Sequence, residues 1–194
     1  MSVERSNRPH PVVLAFAGPN GSGKSTITAG VPIVGAYINA DDIKKHLFIS
    51  DMDAAKLAES QRRTMLENGA DFTFETVLST DRNLSLLKEA STRGYDVQCL
   101  YVLTRNPEIN VTRVKKRVMS GGHDVPEEKI RERYYRALEL LAELVKVCDF
   151  LAVYDNSCAV PNMIFLKDNG AWEIFPNELW PRDELERLFG VGSP

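Results

Sequence analysis

Short apolar runs and helix-period segments alternate along most of the chain. Val12-Val13-Leu14-Ala15-Phe16-Ala17 carries no polar residue and runs into Gly18-Pro19-Asn20-Gly21, which predicts a strand buried on both faces and ending in a turn. A short helix follows from Lys24 to about Ala29, stopped by Gly30 and Pro32. Residues 36–40 and 71–77 form a second and third strand, and Asp53–Asn68 between them forms a helix closed by Gly69. Asp81–Arg93 is a helix with Leu84, Leu87 and Ala90 on one face, followed by an apolar strand at Val97–Leu103. Helices are expected at Pro107–Met119 and from Pro126 onward, the latter striped by Ile130, Tyr134, Leu138, Leu141 and Val145. Phe150–Tyr154 is a fifth strand. Met163–Lys167 and Trp172–Phe175 flank Asp168-Asn169-Gly170 as a hairpin, and Arg182–Phe189 is a last helix.

This alternation implies an α/β fold with three layers: a central, mainly parallel, five-stranded sheet, helices on both faces and a C-terminal β-hairpin. Its 194 residues fit a single domain over the whole chain, with residues 1–10 a loose start outside the core. Ligands in such sheets collect beyond the carboxyl ends of the strands, which points to the segments after Ala17, Ala40 and Phe74.

Composition narrows the field. Twenty-seven acidic against 24 basic side chains give a net charge of −3, which argues against nucleic acid as a general partner. No apolar run reaches the roughly 18 residues of a membrane span, and no signal peptide is legible before Pro11. The three cysteines, Cys99, Cys148 and Cys158, show no metal or redox spacing. They read as buried thiols in a reducing cytoplasm. No His/Cys/Asp cluster has zinc spacing.

Gly18-Pro19-Asn20-Gly21-Ser22-Gly23-Lys24-Ser25 matches G-x-x-x-x-G-K-[ST], with a strand before it and a helix after. The glycines let backbone N–H groups turn inward around phosphate oxygens. Lys24 supplies charge at the β- and γ-phosphates, Ser25 offers a hydroxyl to Mg²⁺, Thr26 is expected beside them in the nucleotide site, and the helix that starts at Lys24 points its positive end at the anion. ATP and Mg²⁺ are therefore the expected cofactors. A GTPase base reader Asn-Lys-x-Asp is absent, and Met119-Ser120-Gly121-Gly122-His123 leads into a charged helix rather than the apolar strand of a transporter ATPase.

Charge is uneven. From Arg105 to Arg136 nine basic residues stand against five acidic ones, so the remainder of the chain is net −7. Arg113 and Arg117 share one helix face. Lys129, Arg133 and Arg136 share another, and Gly121-Gly122 joins the two. This 105–136 region is expected to be a basic lid that closes over a triphosphate, with His123 at its turn as a candidate substrate contact. Asp41 and Asp42 end the second strand. A kinase needs a carboxylate to take the acceptor hydroxyl's proton, and Asp is also a favoured helix cap, so Asp42 is read as the cap and Asp41 as the base. Glu75, at the end of the third strand, could hold an acceptor hydroxyl or a Mg²⁺-bound water, and Asp42, Thr76 and Arg136 are expected as further substrate contacts beside it and His123.

Taken together, Pro19–Thr26, Asn39-Ala40-Asp41-Asp42-Ile43, Phe74-Glu75-Thr76, Arg117-Val118-x-x-Gly121-Gly122-His123-x-Val125-Pro126, Ile130-x-x-Arg133-Tyr134 and Tyr154-Asp155-Asn156-Ser157 resemble the zeta-toxin family of P-loop kinases. The resemblance covers most of the chain in order, and it is similar to the compact, stand-alone branch of that family. It implies ATP-dependent phosphorylation of the amino-sugar 3′-hydroxyl of UDP-N-acetylglucosamine, and an antitoxin protein as a possible partner. It also implies Asp41 as general base, Lys24 as the P-loop lysine, Glu75 as a substrate-site carboxylate and Arg117 as the first lid arginine. The chain departs from the family pattern at His123, where a second lid arginine is expected, and at Val77, where a threonine is expected. Arg133 and Arg136 are the expected replacements for the missing charge. Two other readings stay open: a kinase of another small molecule or a nucleic-acid end, and a nucleotide-binding switch without acceptor chemistry.

Overall fold

The computed structural model describes residues 9–192, so most of the expected loose start lies outside the described residues. In chain order the elements are β1 (Val12–Ala17), α1 (Lys24–Thr28), β2 (Ala36–Ile38), α2 (Ala40–Leu47), α3 (Asp51–Glu67), β3 (Phe72–Thr76), α4 (Asp81–Thr92) and β4 (Asp96–Leu103). They continue as α5 (Pro107–Met119), α6 (Glu127–Glu139), α7 (Leu141–Val147), β5 (Phe150–Asp155), β6 (Asn162–Asp168), β7 (Ala171–Ile174) and α8 (Arg182–Phe189).

The sheet has seven strands in the order β2-β3-β1-β4-β5-β6-β7, where the sequence suggests five plus a hairpin. The first five are mutually parallel. The hairpin is not a separate unit, because β6 pairs antiparallel with β5 and extends the same sheet. Its turn has positive φ at both Asn169 and Gly170, the combination an Asn-Gly hairpin turn supplies without strain. β1 is the middle one of the five parallel strands, every residue buried, because β3 and β4 flank it and helices cover both faces. The chain leaves β1 to build β2 and β3 on one side and β4 and β5 on the other, which opens a crevice directly beyond Ala17.

Four local expectations change. Strand β2 ends at Ile38, because Asn39 caps α2: its side chain accepts from the Asp41 N–H at 2.8 Å. The expected Asp42 cap is therefore corrected, and both aspartates lie in the first turn, where they favour the positive end of the helix. The long helix expected after Pro126 breaks at Leu140 into α6 and α7. Cys99 and Cys148 are buried as expected, but Cys158, beyond the end of β5, is exposed.

Helices α5 and α6 carry their own small apolar cluster of Val111, Val114, Val125 and Ile130, with Val118 against it. Ion pairs on the outer surface stitch them together. Arg131 binds Glu108 at 2.6 Å and Glu127 at 3.0 Å, and Lys115 binds Glu127 at 2.6 Å.

Candidate active site

The loop between β1 and α1 is shaped by three glycines that tolerate no side chain. Gly18, Gly21 and Gly23 all have positive φ, and a Cβ on each would lie 2.0 Å from the Val102 carbonyl oxygen, 2.5 Å from the Asn110 carbonyl oxygen and 2.1 Å from the Asn156 amide nitrogen. Two distant asparagines hold the loop from behind. Asn156 donates to the Ser22 carbonyl at 2.7 Å, and Asn110 donates to the Asn20 carbonyl at 2.8 Å while its own oxygen accepts from Thr104. Ser22 is buried, and its hydroxyl oxygen has no protein partner. Lys24 folds back over the loop and donates to the carbonyls of Gly18 at 2.7 Å and Pro19 at 3.2 Å. Loss of solvent around its ammonium lowers its pKa to about 8. Arg117 adds to that effect, while Glu75 and Asp41 oppose it.

A cavity of about 680 Å³ lies over this loop. Gly21, Gly23, Lys24, Ser25 and Thr26 form its floor, Asp41 and Glu75 one wall, and Arg113, Arg117 and Arg133 the other. Asn20, Thr76, Val77 and His123 also reach it. Arg113 and Arg133 approach the loop itself, through the Ser22 carbonyl and the Asn20 side chain, each at 3.4 Å. Arg117 donates to the His123 carbonyl at 2.8 Å, which draws the Gly121-Gly122 turn against its own side chain. A second cavity of about 810 Å³ adjoins the first and shares Asp41, Arg117 and His123 with it.

The cavity walls correct part of the expected cation set. Arg136 pairs with Glu132 at 2.8 Å on the outer surface and reaches neither cavity, and Lys129 is likewise absent from both. The buried stripe of α6 is Ile130, Tyr134 and Ala137; Arg133 borders it, whereas Lys129 and Arg136 lie further round the helix. Arg105 is turned away as well, bound to Glu184 and stacked 4.5 Å above Trp180. Asp42 also stays off both walls, with its carbonyl 2.8 Å from Nδ1 of His46. The Thr76 hydroxyl is an internal brace that accepts from the Leu78 N–H at 2.9 Å and the Asn83 amide at 2.7 Å.

The supporting residue that sequence reasoning passes over is Tyr37, which lies behind the wall residues Asn39 and Glu75. Its hydroxyl donates to Glu75 at 2.5 Å and accepts from Asn39 at 3.3 Å; burial and the bond to Glu75 push it up to about 12. The only early signal is its place one residue before Ile38 at the end of a strand in the crevice.

The glycine cradle, the buried Ser22 hydroxyl and Lys24 fit a polyphosphate, and Ser25 presents a hydroxyl where a phosphate-bound Mg²⁺ would need one. Among the described residues no three His, Cys, Asp or Glu side chains gather to hold a metal by themselves. Phosphate oxygens and Ser25 would therefore supply the ligands.

Sheet order, phosphate loop and cationic arm together define the fold class of the P-loop kinases. The sequence profile of the family described as Zeta toxin matches residues 2–160, and the chain belongs to that family. An uncharacterised protein of Haemophilus influenzae is 31% identical over 125 residues, which is 61% of this chain and 89% of that protein. Among solved structures, the AvrRxo1-ORF1:-ORF2 complex with ATP superposes with a TM-score of 0.70 at 15% identity. That match covers 93% of this chain but only 64% of its counterpart. The PezAT chromosomal toxin–antitoxin system of Streptococcus pneumoniae gives a TM-score of 0.57 at 16% identity, covering 98% of this chain and 83% of its counterpart. No helix among the described residues is long and apolar enough to cross a membrane.

Proposed function

We propose that this protein is an ATP-dependent kinase that phosphorylates the hydroxyl of a small anionic acceptor, with the amino-sugar 3′-hydroxyl of UDP-N-acetylglucosamine the leading candidate. The observation that carries this reading is the position of Asp41. It stands on the wall shared by the phosphate-loop cavity and the larger cavity beside it, so one carboxylate reaches both a donor and an acceptor. A nucleotide switch has no need of such a second chamber. Lys45 and Arg117 line the second chamber beside Lys44, which Asp51 holds at 2.7 Å, and these cations suit an acceptor that itself carries phosphate.

In this reading the loop N–H groups and Lys24 bind the polyphosphate, and Mg²⁺ bound at Ser25 would neutralise charge that develops between the β- and γ-phosphates. Asp41 accepts the hydroxyl proton and orients its oxygen for in-line attack. Glu75, fixed by the Tyr37 hydroxyl, positions the acceptor. Arg113, Arg117 and Arg133 offset the charge spread over the transferring group. An inhibitory protein partner and a cytoplasmic setting belong to the same reading, on the analogy of the toxin–antitoxin systems that share the fold.

The test is mass spectrometry of purified protein with Mg-ATP and a panel of nucleotide sugars, nucleosides, sugars and 5′-hydroxyl oligonucleotides, run beside Asp41→Asn. One acceptor should gain a phosphate. The variant should lose roughly 10²–10⁴-fold in rate while ATP affinity is kept. Full activity in Asp41→Asn would remove Asp41 from the chemistry, and ATP turnover with no phosphorylated product from any acceptor would favour the switch.

A further inference from the structure

The face of α2 that carries Asp41 carries three more residues on the wall of the second cavity: Lys44, Lys45 and Phe48, at the i+3, i+4 and i+7 positions. At a rise of about 1.5 Å per residue, Lys44 and Lys45 lie about one turn, ~5 Å, along the axis from Asp41, and Phe48, the C-cap, lies about two turns, ~10 Å, along it. Lys44 is also held by Asp51 at 2.7 Å, a pair on the exposed surface that an anionic ligand can replace.

Phe48 is unusual in two independent ways. It is the most exposed large hydrophobic residue among the described residues, at 94%. It also occupies the left-handed region, φ 54° and ψ 38°, as the C-cap of α2, a position where glycine or asparagine is the ordinary choice. A bulky residue there carries backbone strain, and its exposed ring recovers nothing by packing within the chain. The ring stands instead at the rim of a cationic chamber, with Ile49 beside it and the Gly121-Gly122 turn and His123 among the other residues of that chamber.

We propose that Phe48 is a stacking platform for a planar base on the acceptor, so that α2 acts as a ruler: hydroxyl at Asp41, anionic group at Lys44 and Lys45, ring at Phe48. This rests on the reading of the second cavity as the acceptor side. It adds the residue that selects base-bearing acceptors over sugar phosphates of the same charge. An aromatic face suits this task because every base offers a π-surface to it, so the platform fixes the presence of a base more than its identity.

The test uses two ligands that differ only in the base, uridine 5′-monophosphate and ribose 5-phosphate. Their binding is measured by calorimetry to protein whose donor site is filled with Mg²⁺ and a non-hydrolysable ATP analogue. Wild type should prefer the nucleotide by about tenfold or more. Phe48→Ala should erase that preference without changing ribose 5-phosphate binding, and Phe48→Tyr should retain it. Phe48→Gly should also erase it while raising the melting temperature by roughly 2–5 °C, because glycine relieves the left-handed strain. A purely structural Phe48 would not give that opposition between stability and base preference. Equal binding of the two ligands to wild type, binding of neither, a preference that survives Phe48→Ala, or a lower melting temperature in Phe48→Gly would each overturn the proposal. The two readings fail separately. If no nucleotide sugar is phosphorylated but the base preference depends on Phe48, the acceptor assignment falls and the platform stands. If UDP-N-acetylglucosamine is phosphorylated with the same KM by Phe48→Ala, the platform falls alone.

Discussion

Replacing Gly23 by alanine tests how the phosphate loop is held. Gly23 sits at φ 93° and ψ 25°, where an L side chain costs about 1–2 kcal/mol in local sterics alone. The added methyl would lie 2.1 Å from the Asn156 amide nitrogen, which is buried and donates to the Ser22 carbonyl at 2.7 Å. Asn156 must then move, and a buried hydrogen bond left unmade costs a further ~1–3 kcal/mol. The expected loss is about 2–5 kcal/mol, which for a chain of this size lowers the melting temperature by roughly 4–20 °C. ATP affinity should fall with it, because the loop that presents the N–H groups is displaced. The assay is thermal unfolding with and without ATP for Gly23→Ala, Asn156→Ala and the double variant. The two substitutions should be non-additive, since removing the Asn156 amide removes the clash and leaves only the backbone strain. A Gly23→Ala protein that melts within a degree of wild type and binds ATP normally would refute this account, as would strictly additive effects.

Two further outcomes separate the groups on the cavity walls. Lys24, held at about pKa 8 in the empty protein, should lose its charge as the pH rises through 8; calorimetric ATP affinity should fall above that pH, and a flat profile to pH 9.5 would show that its charge is not what grips the phosphates. Arg133→Ala should lower the rate of phosphoryl transfer by about 10²–10³-fold, while Arg136→Ala, which removes only an exposed pair with Glu132, should stay within about threefold of wild type; equal losses would place Arg136 in the machinery.

The sign of the Lys24 effect on folding is opposite to its sign on binding. Its folded pKa lies below the ordinary 10.5, so the unfolded chain holds more protons between about pH 8 and 10.5. The contribution of Lys24 to stability in the empty protein therefore rises with pH across that window. A phosphate bound beside the ammonium would favour its charged form. The same lysine thus links nucleotide affinity and stability, each to pH in its own direction.

What was legible in the sequence was local. The phosphate loop is eight contiguous residues after an all-apolar strand, and α5 is read at its observed bounds because Asn106-Pro107 opens it and Ser120-Gly121 closes it. The Asn-Gly turn of the hairpin is likewise written in two residues. The supports of the loop were not legible as such, because Asn110 and Asn156 lie 90 and 134 residues from the carbonyls they bind and carry no charge to mark them. Which arginines face inward was decided by pairing. Arg105, Arg131 and Arg136 each find a glutamate, and a count of basic residues cannot say which cation is satisfied elsewhere. The continuity of the hairpin with the sheet depends on antiparallel pairing across β5 and β6, with a register shift between Val153 and Tyr154 that strand patterns do not encode.

The distribution of packing explains why the wall cations form a group. The main core runs through the sheet and the helices against it, but Val111, Val114, Val125 and Ile130 form a separate cluster between α5 and α6. The outer ion pairs through Glu108 and Glu127 tie the same two helices together. Arg113, Arg117 and Arg133 therefore project from one packed unit, and a change that loosens that unit displaces all three. Asn110 of this unit also holds the Asn20 carbonyl, so the arm that presents the charge and the loop that would hold the phosphates share a hydrogen bond. Asp41, by contrast, is set by Asn39 and by the Tyr37–Glu75 contact on the opposite side of the crevice. Asp41 and the wall arginines are thus placed by independent supports, and they come together only where the two sides face each other across the phosphate loop.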